Sequence, residues 1–290
     1  MRVCAVVNPT SGGNRGLRHW QQARPILREA GWQITERVSE RRGHAVELAA
    51  AAEAPLVLAV GGDGTAHEVA NGILSSRRGA SLAVLPVGTG NDFARALGLP
   101  RDPVAAAGAL ASGRPRRIDV GEVNGRYFLT IAGAGFDGEV ARLVNAWPKL
   151  LGGVVMYALG ILKMLVTYRP VEVRITIDGT PQEDRLFLIA VGNTAWNAGG
   201  MWLVPAARPD DGLLHAVIAG PLSRLETLAV LPRVFSGGHL GHRKVRQATA
   251  RAITVEGPPL AVQADGEPVG TLPARFAVRP QALTVLAPLA

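Results

Sequence analysis

The chain has 290 residues, 48% hydrophobic and 19% charged, which is enough apolar side chain for a full core and excludes a disordered polymer. Its net charge of +8 suits nucleotides, nucleic acid or an anionic membrane face, but aromatics are only 5% and no Lys/Arg block or RNA-binding signature stands out, which sets nucleic acid aside. Cys4 is the single cysteine and lies in an apolar run, so a disulfide framework is excluded and a reducing compartment is expected.

The length suggests roughly two domains. The apolar run 3–7 reads as a first strand; it ends at Asn8-Pro9, too early for a secretory signal. Asn8-Pro9-Thr10-Ser11-Gly12-Gly13 then makes a glycine-rich turn, followed by a helix with apolar positions Leu17, Trp20, Ala23 and Leu27. A short strand at 34–38 and a helix at 45–52 come next. The run 56–60 suits a buried parallel strand, and Gly61-Gly62-Asp63-Gly64-Thr65 leads from it into a helix through Val69, Ala70, Ile73 and Leu74. A strand at 81–85 leads into Pro86-Val87-Gly88-Thr89-Gly90-Asn91-Asp92 and a helix through Ala94 and Leu97. This alternation, up to about residue 112, predicts a parallel sheet covered by helices, with ligands at the carboxyl ends of its strands. All three glycine-rich turns fall at that end. Three glycines at a strand-to-helix turn bring backbone N–H groups and a helix N-terminus close to an anion, so the 61–65 turn favours phosphate, with Asp63 beside it if magnesium lies between.

After Arg116 the pattern becomes mainly antiparallel β, with strands at 118–122, 127–132, 171–177, 186–191, 216–219, 253–255, 260–263, 275–278 and 283–286 and one helix at 222–235. Asp178-Gly179 reads as a hairpin turn. The stretch 150–166 is the one long apolar segment, too short for a span of about 20 residues and interrupted by Lys163 and glycines; it is expected to be helical and buried or membrane-facing.

No Walker A pattern is present. Gly133, Gly135 and Gly138 form a GxGxxG, but no acidic residue lies about 20 positions downstream, so a dinucleotide site is rejected. His67-Glu68 lacks the second histidine of a zinc-protease helix. Asp265-Gly266-Glu267 has two readings. It is a hairpin turn like the other Asp-Gly pairs, or, in an extended segment, it points two carboxylates one way to hold magnesium and deprotonate an alcohol.

Taken in order, Asn8–Gly12, Gly61-Gly-Asp-Gly-Thr65, Gly88-Thr-Gly-Asn-Asp92, Pro205…Asp211-Gly-Leu-Leu214 and Asp265-Gly-Glu267 resemble the soluble bacterial diacylglycerol kinase and lipid kinase family, related to sphingosine and ceramide kinases. The resemblance covers essentially the whole chain. It implies an ATP-binding α/β domain, 1–120 plus about 280–290, and a β-sandwich substrate domain, 121–279, with the last strand returning to the first domain. It implies ATP and Mg2+ as cofactors. The nucleotide would be held by Asn8, Pro9, Thr10, Ser11, Gly12, Ser39, Gly62, Asp63, Gly64, Thr65, Ala66, His67, Glu68 and Thr89. Glu267 falls on the catalytic base, and Asp63, Asp119 and Asp265 on carboxylates that organise magnesium and water. A structural metal would be held by Asp211 and the carbonyls of Arg208 and Leu213. Ser39 replaces a usual threonine, His67 a usual Asn and His44 a usual Asp. With only Lys149, Lys163 and Lys244 as lysines, phosphate charge must be met by backbone, arginine or metal.

The expected activity is ATP-dependent phosphorylation of a lipid hydroxyl, diacylglycerol first. Phosphatidylglycerol, a sphingoid or ceramide lipid, or NAD are the alternative acceptors, and a nucleotide-binding regulator without turnover is the alternative class. The expected setting is cytoplasmic with transient contact at the inner face of the membrane, through an apolar segment 147–168 flanked by Lys149, Lys163 and Arg169. A homodimer is left open.

Overall fold

The computed structural model describes residues 1–76, 78–147 and 153–288, and the chain divides into two compact units, Met1–Asp119 with 281–290 and Val120–Pro280.

In the first unit, strands Gln33–Val38, Arg2–Val7, Leu56–Gly61 and Ser81–Pro86 lie side by side in that order, all parallel. Leu56–Gly61 is buried along its whole length, as a β strand covered on both faces must be, and so its sequence shows no alternation. The helix Gly16–Glu29 buries Gly16, Trp20, Ala23 and Leu27, the stripe expected from a period of 3.6 residues. Asp63–Ser76 is buried on several sides instead. It packs on the helix His44–Ala50 so closely that a Cβ on Gly72 would lie 2.4 Å from the carbonyl of Val46. The sheet is completed by the end of the chain: Val285 of the last strand pairs in parallel with Leu82.

The second unit is a β sandwich. One sheet of six strands has the order Val245–Ala250, Leu214–Ala219, Leu188–Gly192, Ile131–Gly135, Ala261–Ala264, Glu267–Thr271, antiparallel throughout. The other is built from Thr180–Leu186, Val171–Ile177, Ala252–Glu256 and the first half of the last strand, Ala274–Ala287. The core between them includes Phe128, Ile175, Ile189, Ile218, Ile253, Val262 and Phe276.

The α/β plus β architecture agrees with the sequence pattern, while several elements differ in detail. The expected strand 127–132 is two strands, Arg126–Phe128 and Ile131–Gly135, because the amides of Leu129 and Thr130 donate to the carboxylate of Asp265. The expected strand at 186–191 breaks at Phe187, whose N–H donates to Ala219 and whose ring stacks on Phe136. The expected helix 222–235 holds only over Arg224–Val230, opened by a Ser223–Glu226 capping box, and passes at Pro232 into 3₁₀ turns. The segments 275–278 and 283–286 are one strand, Ala274–Ala287. Asp178-Gly179 is the expected hairpin turn, with both residues at positive φ and Ile177 opposite Thr180.

The apolar segment forms the helix Gly153–Thr167; Lys149 and residues 150–152 lie outside the described ones. Its residues Val155, Leu159, Leu162 and Val166 are exposed on one stripe, so the core alternative does not account for that face. Among the described residues no helix is long and apolar enough to cross a membrane.

Candidate active site

The three glycine-rich turns of the first unit meet at the carboxyl ends of adjacent parallel strands. A Cβ on Gly12 (φ +61°) would lie 2.3 Å from the carbonyl oxygen of Val87, and one on Gly88 would lie 2.4 Å from the Cα of Gly62. Only glycine permits such backbone-to-backbone approach. The turns are also bonded to one another: Asn8 Nδ2 donates to Thr65 Oγ1 at 3.0 Å, and the Phe93 N–H donates to Asp63 Oδ1 at 3.0 Å. Within the first turn, Asn8 Oδ1 accepts from the backbone and hydroxyl of Thr10. Asn91 (φ 57°) closes the third turn by bonding both the N–H and the carbonyl of Gly88.

Around this cradle, Ser39 is buried and its hydroxyl donates to the carbonyl of Val7, at the end of the first strand. Glu68 accepts from the N–H groups of Gly43 and Ala45, which caps the helix His44–Ala50. His67 is buried and lies 3.4 Å from the amide of Asn71, and His44 Nδ1 accepts from the N–H of Glu40. Pro9, Ser11 and Thr89 lie in the turns themselves, Gly64 is the second residue of the Asp63–Ser76 helix, and Ala66 is buried in that helix's first turn. Asp119 is 1% exposed and accepts the N–H of Gln281 at 2.8 Å, which ties the final segment to the first unit.

In the second unit, Asp265 and Gly266 both have positive φ (51° and 84°), and Ala264 faces Glu267 across them. This is a two-residue hairpin turn, so the extended segment that would point both carboxylates one way does not exist. The Asp265 carboxylate is turned inward. Oδ2 accepts the Leu129 N–H at 2.8 Å, and Oδ1 accepts the Thr130 N–H at 2.8 Å and its hydroxyl at 2.6 Å. Glu267 opens the following strand, half-buried.

Asp211 lies in a turn with Gly212 at φ 74°. Its Oδ1 accepts the Leu213 N–H at 3.0 Å and its Oδ2 lies 2.8 Å from His215 Nε2. A cation held by this carboxylate with the carbonyls of Arg208 and Leu213 competes with His215 for Oδ2. Among the described residues no three His, Cys, Asp or Glu side chains converge on a metal position. Magnesium keeps waters and phosphate oxygens and needs only one or two carboxylates, so a site for it need not gather three such side chains.

The diacylglycerol kinase catalytic domain model matches residues 2–123, and the model described as the YegS C-terminal NAD kinase beta sandwich-like domain matches residues 130–287. The chain is 34% identical over 280 residues to the diacylglycerol kinase of Bacillus subtilis (strain 168), covering 95% of this chain and 92% of that protein. It belongs to the diacylglycerol kinase family of lipid kinases. It is also 33% identical over 291 residues to a Staphylococcus aureus (strain MRSA252) diacylglycerol kinase, covering 99% of this chain and 92% of that protein. Among solved structures it is similar to a diacylglycerol kinase of Bacillus anthracis str. Sterne, with a TM-score of 0.79 and 26% identity over 99% of this chain and 96% of that one. The two-domain fold and the phosphotransferase class are those of this family.

Several residues escape a reading of the sequence. Asp92 closes the Gly88-Thr-Gly-Asn-Asp92 motif; it is buried, with Arg95 3.5 Å away. His215 sits four residues after Asp211 on a strand, and only cross-strand pairing reveals that its other nitrogen meets Thr249. Gln263 and Asp137, both buried, are bonded at 3.0 Å across 126 positions of sequence.

Proposed function

We propose that the protein transfers the γ-phosphoryl group of ATP to a lipid hydroxyl, with diacylglycerol as acceptor and phosphatidic acid as product. The observation that carries this reading is the convergence of three glycine turns at the carboxyl ends of the first unit's parallel strands, a backbone cradle suited to a polyphosphate. In it Asn8, Pro9, Thr10, Ser11, Gly12, Ser39, Gly62 to Glu68 and Thr89 hold the nucleotide. Magnesium, when bound, neutralises phosphate charge, and Asp63 and Asp119 supply its protein oxygens. Arg208, Asp211 and Leu213 hold a second, structural cation.

Glu267 of the second unit accepts the proton of the lipid hydroxyl as that oxygen bonds to the γ-phosphorus. The bond to the β–γ bridging oxygen breaks, and ADP leaves with the electron pair. Asp265, bonded to the Leu129 and Thr130 amides, holds the turn from which Glu267 departs. Most of the rate then comes from positioning and electrostatics.

The lipid is met at a peripheral membrane contact on the second unit. Val155, Leu159, Leu162 and Val166 form an exposed apolar stripe, Leu225 and Leu228 are exposed on the next helix, and Arg224 bonds the Val166 carbonyl at 2.6 Å. Lys163, Arg169 and Arg224 add cations for anionic headgroups.

The test is phosphate transfer from labelled ATP with Mg2+ to diacylglycerol, phosphatidylglycerol, ceramide and sphingosine in mixed micelles, with NAD in solution as control. Label on diacylglycerol is the expected result. Label on NAD alone, or full activity in Glu267→Gln, overturns the reading.

A further inference from the structure

The GxGxxG segment, which fits no dinucleotide, has a structural position that explains its glycines. The strand Ile131–Gly135 lies between Leu188–Gly192 and Ala261–Ala264, and the helix Phe136–Ala146 follows it directly. That helix packs onto the hairpin carrying Asp265 and Glu267. A Cβ on Gly138 would lie 2.1 Å from the carbonyl oxygen of Ala261, and one on Gly133 would lie 2.6 Å from Asp137 Oδ2. Glu139 Oε1 accepts the Ala261 N–H at 3.0 Å, and Asn145 Nδ2 donates to the carbonyl of Gly266 at 3.2 Å.

Between these two contacts lies a buried relay. Gln263 Nε2 donates to Asp137 Oδ2 at 3.0 Å, and Gln263 Oε1 accepts the N–H of Gly266 at 2.8 Å. Gln263 is 2% exposed and Asp137 9% exposed. An acceptor at Asp137 fixes the orientation of the Gln263 amide: nitrogen toward the carboxylate, oxygen toward the turn. Reversed, the amide would set its nitrogen against the Gly266 N–H and leave that donor unmet. Among the described residues Gln263 is the side chain that donates to this carboxylate, so it is the one through which Asp137 acts. A buried carboxyl is an expensive way to fill a core.

We infer that Asp137 and Gln263 are positioning residues: together they set the Asp265-Gly266 turn, and through it the placement of Glu267 for proton transfer. The inference rests on the reading of Glu267 as the base. Misplacement of a reacting group by about 1 Å costs on the order of 100-fold in rate.

The experiment measures kcat and KM for ATP and lipid in Gln263→Leu, Asp137→Leu, their double variant, Asp137→Asn and Glu267→Gln, with melting temperatures alongside. Gln263→Leu and Asp137→Leu are expected to lose about 10- to 100-fold in kcat with KM unchanged within about twofold. The double variant is expected to lose no more than either single one, since both cut one relay. Asp137→Asn keeps an acceptor for Gln263 and is expected to stay within about threefold of the parent.

Gln263→Glu serves where the leucine variants fail to fold. A carboxyl at 263 facing Asp137, with Glu139 on the same helix and Tyr168 in the same field, must share a proton, so activity is expected to fall as pH rises, more steeply than in the parent. A parental kcat in Gln263→Leu, additive losses in the double variant, or an unchanged pH profile in Gln263→Glu overturns the inference. Glu267→Gln separates the two failures. If it alone abolishes transfer while Gln263→Leu does not affect kcat, the relay is wrong and the base stands; if it leaves kcat intact, the base itself is wrong.

Discussion

Replacing Asp265 by alanine tests whether this carboxylate holds the second unit together. The substitution removes the acceptor for the Leu129 and Thr130 amides and for the Thr130 hydroxyl. The hydroxyl can rotate to another partner, but the two amides sit between strands and cannot. Each stranded, partly buried donor costs about 1–3 kcal/mol, and water reaching the turn keeps the figure near the lower end. Alanine at φ 51° adds roughly 1 kcal/mol, a conformation that aspartate and asparagine tolerate better. The sum is about 3–5 kcal/mol. For a cooperative unit of this size each kcal/mol lowers the melting temperature by about 2–4 °C, so a fall on the order of 10 °C is expected. Thermal unfolding followed by circular dichroism, with urea titration as a second measure, provides the assay. Asp265→Asn is expected to fall between the parent and the alanine variant, because its oxygen serves one amide while its nitrogen opposes the other. An alanine variant that melts with the parent and still loses phosphoryl transfer would refute the reasoning and mark the carboxylate as purely chemical.

Three further outcomes are expected. Gly88→Ala drives a Cβ to 2.4 Å from the Gly62 Cα, and overpacking of about 1–3 kcal/mol is expected to weaken ATP binding roughly tenfold or more by calorimetric titration, whereas Gly108→Ala, in the helix Pro103–Ala111 with open space around it, stays near the parent. Burial pushes the Asp137 carboxyl up from 3.8 to about 6, so the folded state holds a proton that the unfolded chain releases: the stabilisation is complete below about pH 4 and is lost as pH rises through about 6. Asp137→Asn removes that dependence, and its stability relative to the parent is expected to rise between pH 4 and 6.5 by up to about 3 kcal/mol in urea titrations; a pH-independent difference contradicts the shift. Finally, Leu162→Asp or Leu225→Asp, at side chains 56% and 79% exposed, is expected to abolish co-sedimentation with phosphatidylglycerol-containing vesicles while leaving the melting temperature unchanged; undiminished vesicle binding places the membrane contact elsewhere.

The parallel half of the fold was legible because buried central strands leave uninterrupted apolar runs, such as Leu56–Gly61, followed directly by glycine turns. The Asp178-Gly179 hairpin was legible for a similar reason, since the flanking alternation frames the turn. Asp265-Gly266 has the same chemistry but lacks that frame: the strand Ala261–Ala264 before it is wholly buried, so no alternation marks where the strand ends. Its carboxylate could therefore be read as one of an extended pair. What bends the chain is the pair of amides at 129 and 130, supplied from far away in sequence. The same distance hid the engagement of Glu68 with the Gly43 and Ala45 amides and the bond between Asp137 and Gln263. Local pattern reports which face a residue shows to the core, and it carries no information about which remote donor a carboxylate will find.

The final strand has a consequence for synthesis. The first unit's sheet needs residues 281–287, so Ser81–Pro86 leaves the ribosome long before its neighbour does. About 200 residues separate them, which at about 5–20 residues per second is on the order of 10–40 s with an unpaired β edge. The first unit is thus translated first and finished last. A nascent chain stalled after the sandwich would carry a complete second unit and an incomplete first, the reverse of the order in which their codons are read.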